Sequence, residues 1–368
     1  MSVNLGRSMA SYRTALHCRV RASVDARREG HLMRNRRLHS VETRRRWLAA
    51  GVVGPALVWT GALHAQAKAP VVVGWLANST RDRRSLINAF TEGMEALGWK
   101  LGENYVLEER HADGQVERLP ALALELAAMK ATVIVAWPSA AARAANKAAP
   151  TTPVVLVSGD PLVAGLVTSL ARPGGMITGT SNMGFETTQK VIELLVETLP
   201  KLQCVGFLAD PTGLAAPRIT AASAFRPTAE QLGIEAVFAD LAGPQDIEPA
   251  IARLAKAKVQ AVVVLPSSWF NAHFGAIARL ALAQRLPVVG TAPTVAVAGG
   301  LFSYGADGLA LARRGAHHVD RILKGAKPGE LPIEQPTAFE FILNLKAAKQ
   351  LGITIAPSLR LRATRVIE

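Results

Sequence analysis

The chain has 368 residues, 49% of them hydrophobic and 19% charged, with 30 Gly and 21 Pro. That length gives a prior of about two domains, and the composition excludes disordered, collagenous and coiled-coil classes. The formal charge of +14 would suit a nucleic-acid binder if it formed a basic surface, but residues 1–67 hold 12 of the 42 basic side chains, all arginine, and 3 of the 28 acidic ones, so the rest of the chain carries only +5. That remainder has no basic stripe with interleaved aromatics and no Cys/His finger pattern, which removes the main support for nucleic-acid binding.

Residues 1–67 read as a leader with an export signal. Arg44, Arg45 and Arg46 precede an apolar run from Trp47 to Leu63, and Ala62-Leu63-His64-Ala65-Gln66-Ala67 offers a small-residue cleavage site. Interrupted by Pro55, the run is marginal for a hydrocarbon core of about 30 Å, so export to the periplasm is the better reading than an uncleaved anchor. Arg44-Arg45 followed by Trp47-Leu48 also resembles a twin-arginine signal, and Met33, followed by Arg34, Asn35 and Arg36, would be a more typical start than Met1. Cys18 lies in the leader, which leaves Cys204 alone in the mature part: no internal disulfide is available, and no cysteine follows the apolar run to take a lipid. The expectation is a soluble, monomeric mature protein.

From Pro70 onward, short β-branched runs alternate with longer helical patterns, the signature of βαβ units. Strands are expected at 71–76, 105–109, 132–136, 153–157, 204–208, 236–239, 261–265 and 287–289. Helices are expected at 83–97, 117–129, 187–199, 225–232, 247–257 and 272–284. Runs such as Val262-Val263-Val264 are apolar on both faces, as strands of a parallel sheet covered by helices on both sides must be. The series occurs twice, each time with a Gly closing a helix before a strand, in Ala96-Leu97-Gly98-Trp99 and Gln231-Leu232-Gly233-Ile234. Arg172-Pro173-Gly174-Gly175 marks the boundary. The expected fold class is therefore α/β, with two Rossmann-like lobes: lobe one at 70–180 plus about 291–335, lobe two at 181–290, and 336–368 packing at the hinge. A strand near 301–304 and a helix at 306–323 need a lobe to join.

Leu170-Ala171-Arg172-Pro173-Gly174-Gly175 with Thr178-Gly179, then Gly299-Gly300-Leu301 with Ser303-Tyr304-Gly305, Ile322-Leu323-Lys324-Gly325-Ala326-Lys327-Pro328, and Asn344-Leu345-Lys346-Ala347-Ala348 with Leu351-Gly352 carry a family resemblance. In this order they resemble the tryptophan/tyrosine-type ABC transporter substrate-binding proteins, over essentially all of 70–368. The resemblance implies a type I periplasmic-binding-protein fold with a ligand cleft between the lobes, hinge closure, and docking on a membrane permease driven by an ATPase. The chain itself has no Gly-x-x-x-x-Gly-Lys-[Ser/Thr] phosphate loop. A periplasmic sensing module for a membrane receptor is the alternative. The solute is expected to be a small organic compound, amino-acid-like or aromatic only on the strength of the resemblance.

Ligands of such folds sit at the carboxyl ends of the strands. Asn78 and Ser79 follow the first strand, and Ser139 and Ala140 follow the third; both junctions lead into helices whose free N–H groups favour a carboxylate. Plain helix capping is the competing role for the two serines. Asp160, in Ser158-Gly159-Asp160-Pro161, matches an Asp-Pro of the resembled family and would pair with a ligand ammonium; the competing role is an Asx turn locked by Pro161. Asp210, before Pro211, stands where relatives usually carry Asn and adds an acid to the cleft. Trp269, beside Phe270, is a stacking candidate or a core cover, and Tyr304 and Asp307 would face the hinge. Trp75, inside a strand, belongs to the core.

No catalytic arrangement is present: the sequence has no Gly-x-Ser-x-Gly elbow and no His-Glu-x-x-His helix, and His317-His318 are adjacent, so their rings diverge. Neither an enzyme nor a cofactor or metal is expected.

Overall fold

The β-branched runs form strands and the amphipathic stretches between them cover both faces, giving two sheets. The computed structural model describes residues 69–81, 84–210, 221–267 and 269–368, all within one compact unit. The expected leader, its export signal and the Met33 start lie outside the described residues. Among those residues no helix is long and apolar enough to cross a membrane.

In lobe one, β1 (Val71–Ala77), α1 (Ser85–Ala96), β2 (Tyr105–His111), α2 (Leu119–Ala128), β3 (Val133–Trp137), α3 (Ser139–Ala148), β4 (Val154–Gly159) and β5 (Ile177–Ser181) follow in order. Their strands make a parallel sheet in the order β2-β1-β3-β4-β5. Trp75 is in the core as expected, 5.5 Å from Phe90 in a tilted ring contact. Its face of the sheet is covered by α1, while α2 and α3 cover the opposite face.

The chain then crosses into α4 (Gly184–Thr198), β6 (Cys204–Ala209), α5 (Ala221–Gln231), β7 (Glu235–Asp240), α6 (Ile247–Lys256), β8 (Ala261–Val264), α7 (Phe274–Ala283), β9 (Val288–Gly290), α8 (Pro293–Val297) and β10 (Phe302–Ala306). It returns in α9 (Gly308–Leu323), which packs beside α1 on lobe one. It crosses a third time into β11 (Phe339–Asn344), α10 (Leu345–Leu351), α11 (Pro357–Arg362) and β12 (Arg365–Ile367). The second sheet runs β12-β11-β10-β9-β8-β6-β7, with only β10 and β11 antiparallel.

Two segments differ from the sequence expectation. Phe302–Ala306 does not return to lobe one: it extends the parallel ladder beside β9, pairing Phe302 with Val289 and burying the Phe302 ring. Residues 339–367 do not merely pack at the hinge but supply two strands to lobe two. Asn344 fixes this end, donating to the Ala296 carbonyl at 2.9 Å and accepting from the Ala347 amide at 2.8 Å as the cap of α10. The third crossing is tied to lobe one through Glu334, whose amide donates to the Gly179 carbonyl and whose carbonyl accepts from the Ser181 amide.

Gly179 is required at that edge. Its φ is +128°, and a Cβ there would lie 2.0 Å from the Leu156 carbonyl oxygen. Because both the backbone conformation and the space oppose a side chain, Gly179→Ala is expected to cost about 3 kcal/mol or more, measured by urea unfolding of the mature protein.

Candidate functional site

A cavity of about 530 Å³ lies between the lobes at the carboxyl ends of their strands, the place where open parallel sheets leave a crevice. Lobe one contributes the β3–α3 junction, Trp137-Pro138-Ser139-Ala140, and the end of β4, Ser158-Gly159-Asp160. Phe185 and Asn182 come from the first crossing. Lobe two contributes Ser267 after β8, Asn271, and Thr291 and Thr294 around the start of α8. Gly305, Asp307 and Glu340 form the wall where the chain crosses between lobes.

The first turn of α3 has the electrostatics of an anion site. The Ala141 and Ala142 amides donate to the Pro138 carbonyl, so the amides of Ser139 and Ala140 precede the helical hydrogen bonding, at the positive end of the helix dipole. Ser139 Oγ accepts from the Asp160 amide at 3.1 Å, which leaves its hydroxyl proton to donate elsewhere. Space is tight here: a Cβ on Gly159 would come 2.5 Å from Ser139 Oγ. Ser158, next in the wall, has φ +54°, a left-handed conformation unusual outside glycine.

Asp160 lines the cavity, but its carboxylate is engaged by backbone. Oδ1 accepts from the Val163 amide, three residues on, at 3.3 Å, and Oδ2 accepts from the Phe185 amide at 3.2 Å in the first turn of α4. One oxygen holds lobe one's own loop and the other holds lobe two's first helix. A ligand ammonium would share these oxygens with the two amides.

Of the sequence candidates, Ser139, Ala140 and Asp160 are together in the cavity wall, and Asp307, also expected at the hinge, joins them. The remaining five do not line it. Asn78 is buried at the end of β1, its amide donating to the Trp137 carbonyl and its carbonyl accepting from Gly114, so this loop folds under β3. Ser79 follows it away from the cavity, its carbonyl turned to the Asp113 amide. Asp210 is buried and accepts from the hydroxyl of Ser267, so that Ser267, not the acid, faces the cavity. Trp269 packs edge-on against Phe270 at 5.0 Å and against His273 at 4.5 Å, covering lobe two. Tyr304 stacks on Phe339 at 5.7 Å between neighbouring strands. Sequence reasoning missed Asn182, Phe185, Asn271, Thr291, Thr294 and Glu340. Thr291 and Thr294 had a local signal, since they bracket the strand-to-helix junction at Pro293.

Glu340 is half-buried, and burial, together with the negative charge of Asp307, pushes its carboxyl above the ordinary range; Arg365 draws it back down. Cys204 opens β6, half-buried, with its thiol pushed up by burial, and is unsuited to nucleophilic chemistry. Among the described residues no group of three or more His, Cys, Asp or Glu is placed to hold a metal ion.

Three comparisons bear on this arrangement. Residues 79–367 match the family model described as ABC transporter substrate binding protein. A tyrosine-binding protein of Clostridioides difficile is 24% identical over 265 residues, covering 72% of this chain and 75% of that one. Among solved structures, a conserved domain protein from Vibrio cholerae superposes with a TM-score of 0.75 at 25% identity, over 80% of this chain and 99% of its own. A Streptococcus pneumoniae ABC domain in complex with L-Trp also gives 0.75, at 23% identity, over 81% of this chain and 100% of its own.

Since Asp160 satisfies two backbone amides across the crossing, Asp160→Ala is expected to destabilise the protein by about 1–3 kcal/mol, with Asp160→Asn costing less because it keeps an acceptor. Equal stability of wild type and both variants in urea titrations would contradict the tether.

Proposed function

Because the chain belongs to the ABC transporter substrate-binding protein family, we propose that it is the solute receptor of an ABC importer, capturing an amino-acid-like aromatic solute between its lobes. The family is one of binding proteins rather than enzymes. The observation that carries the ligand class is the make-up of the cavity: free amides and a hydroxyl at the start of α3, Trp137 in the same wall, and carboxylates on the crossing wall. A zwitterion with a planar side chain uses all three: the carboxylate at the helix start, the ring against Trp137, and the ammonium at the acidic wall. The relatives named for tyrosine and found with L-Trp support that choice.

Lobe closure on the solute would present a closed surface to a membrane permease and its ATPase, with rotation about the three crossings. The arginine-rich leader would send the chain to the periplasm.

L-tyrosine or L-tryptophan, at 100 times its dissociation constant, should stabilise the mature protein by about 2.7 kcal/mol, read as a thermal shift of several degrees. Trp137→Ala should weaken that binding about tenfold or more while the protein stays folded; unchanged melting with every amino acid tested would sink the reading. Export is checked separately. A reporter fused to residues 1–67 should be found in the periplasm with the leader cleaved near Ala67, and retention in the cytoplasm would refute the signal.

A further inference from the structure

Among the described residues, five ionisable side chains line the cavity: Asp160, Asp307, Arg313, Glu340 and Arg365. Two have their polar groups engaged by the protein and a third, Asp307, one oxygen of its carboxylate. Asp160 uses both oxygens on the amides of Val163 and Phe185. Asp307 caps α9, accepting from the Leu309 and Ala310 amides at 2.9 and 3.1 Å through one oxygen. Arg313 is paired with Glu92 at 3.0 Å, both side chains exposed. Glu340 is different: among the described residues its carboxylate makes no hydrogen bond and no ion pair.

The fold places that carboxylate deliberately close to the crossing. Glu340 pairs with Gly305 in the antiparallel ladder of β10 and β11, and Gly305 admits no side chain, since a Cβ there would lie 2.1 Å from the Thr291 carbonyl oxygen. The charged groups that face Glu340 are Asp307 from the second crossing and Arg365 from β12. Arg365 is exposed and makes no ion pair with Glu340 among the described residues, although its charge draws the Glu340 carboxyl partly back down. A half-buried carboxylate beside a like charge, with no cation bonded to it among the described residues, is stabilised by a cation arriving from the cavity.

We propose that Glu340 receives the cationic end of the solute and sets the cleft's preference for solutes that carry an ammonium group. This rests on the amino-acid-like reading above and goes beyond it by assigning the discrimination to one side chain. The charge of Glu340 then matters for the ammonium and not for the rest of the ligand. Because its carboxyl titrates above the ordinary range, acidification neutralises it early, and affinity for an ammonium-bearing solute falls as pH drops through that titration.

The test measures dissociation constants by calorimetry for L-tyrosine and L-tryptophan and for their des-amino analogues, 3-(4-hydroxyphenyl)propionate and indole-3-propionate. Wild type should prefer the amino acids by about tenfold or more, and Glu340→Gln should reduce that preference to within about threefold while leaving analogue affinity within about threefold. An undiminished preference in Glu340→Gln overturns the assignment, as does a wild type with no preference. Should Glu340→Gln fail to fold, the wild-type preference followed down through the Glu340 titration itself, read by NMR of its carboxyl carbon, decides: it should shrink as Glu340 is protonated, and a preference constant across that titration overturns the assignment. Wild type that binds neither amino acid overturns the ligand reading itself, an outcome distinct from loss of the Glu340 effect alone.

Discussion

Asp160 holds the two lobes to one another. Its carboxylate spans the first crossing, taking the Val163 amide of lobe one on one oxygen and the Phe185 amide at the start of α4 on the other. Hydrogen bonds to an ionised acceptor are stronger than neutral ones, and both donors here would otherwise be orphans, one of a turn and one of a helix start. The Asp160 amide in turn donates to Ser139 Oγ, so the same residue orients the hydroxyl at the start of α3. Cavity shape and lobe connection therefore share one side chain.

The other crossings are held by different means. Glu334 is stitched to β5 through its own amide and carbonyl, and its carboxylate takes a fork from Arg314, with Arg314 Nη2 to Oε1 at 3.0 Å. Both side chains of that fork are substantially exposed, so its contribution is geometric, fixing where α9 meets the third crossing, more than energetic. Asp307 fixes the second crossing by capping α9. The second and third crossings are anchored on the lobe-one side, and rotation of the lobes would concentrate in the short stretches beyond those anchors, at Ala306 and between Glu334 and Phe339.

Much of the fold was legible because apolar period and glycine position are local properties. The β-branched runs became strands within a residue or two, and Gly98 and Gly233 do close helices with positive φ. What escaped was set by pairing across distance. Ile177–Ser181 reads as a polar Thr/Gly stretch, yet it is fully buried as β5 because the returning Glu334 segment covers its edge. Phe302–Ala306 and Phe339–Asn344 look equally able to serve either lobe; the β9 edge and the antiparallel pairing decide. The site divides the same way. Ser139, Ala140 and Asp160 follow from the strand-end rule, because each sits immediately where a strand meets its loop. Asn78 and Asp210 obey the same rule and are turned inward by contacts with Gly114 and Ser267 that no local pattern encodes. Glu340 begins an antiparallel strand, where the rule does not look.

The distribution of aromatic side chains gives the cavity its direction. Only 5% of the chain is aromatic, yet Trp137 and Phe185 both line this one space, with Phe225 fully buried behind Phe185. Trp137 belongs to lobe one, whereas Phe185 and Phe225 stack on each other at 5.3 Å in lobe two, backed by Phe207. Rings have few rotatable bonds, so presenting them to a solute costs little conformational entropy. Because these rings stand on opposite lobes, a planar solute would gain its full contact only with the lobes together, and closure would follow from the same surface that selects the ligand. The polar groups at the start of α3 and at the crossing wall would then fix the orientation of a ring that the aromatic surfaces alone leave free to turn.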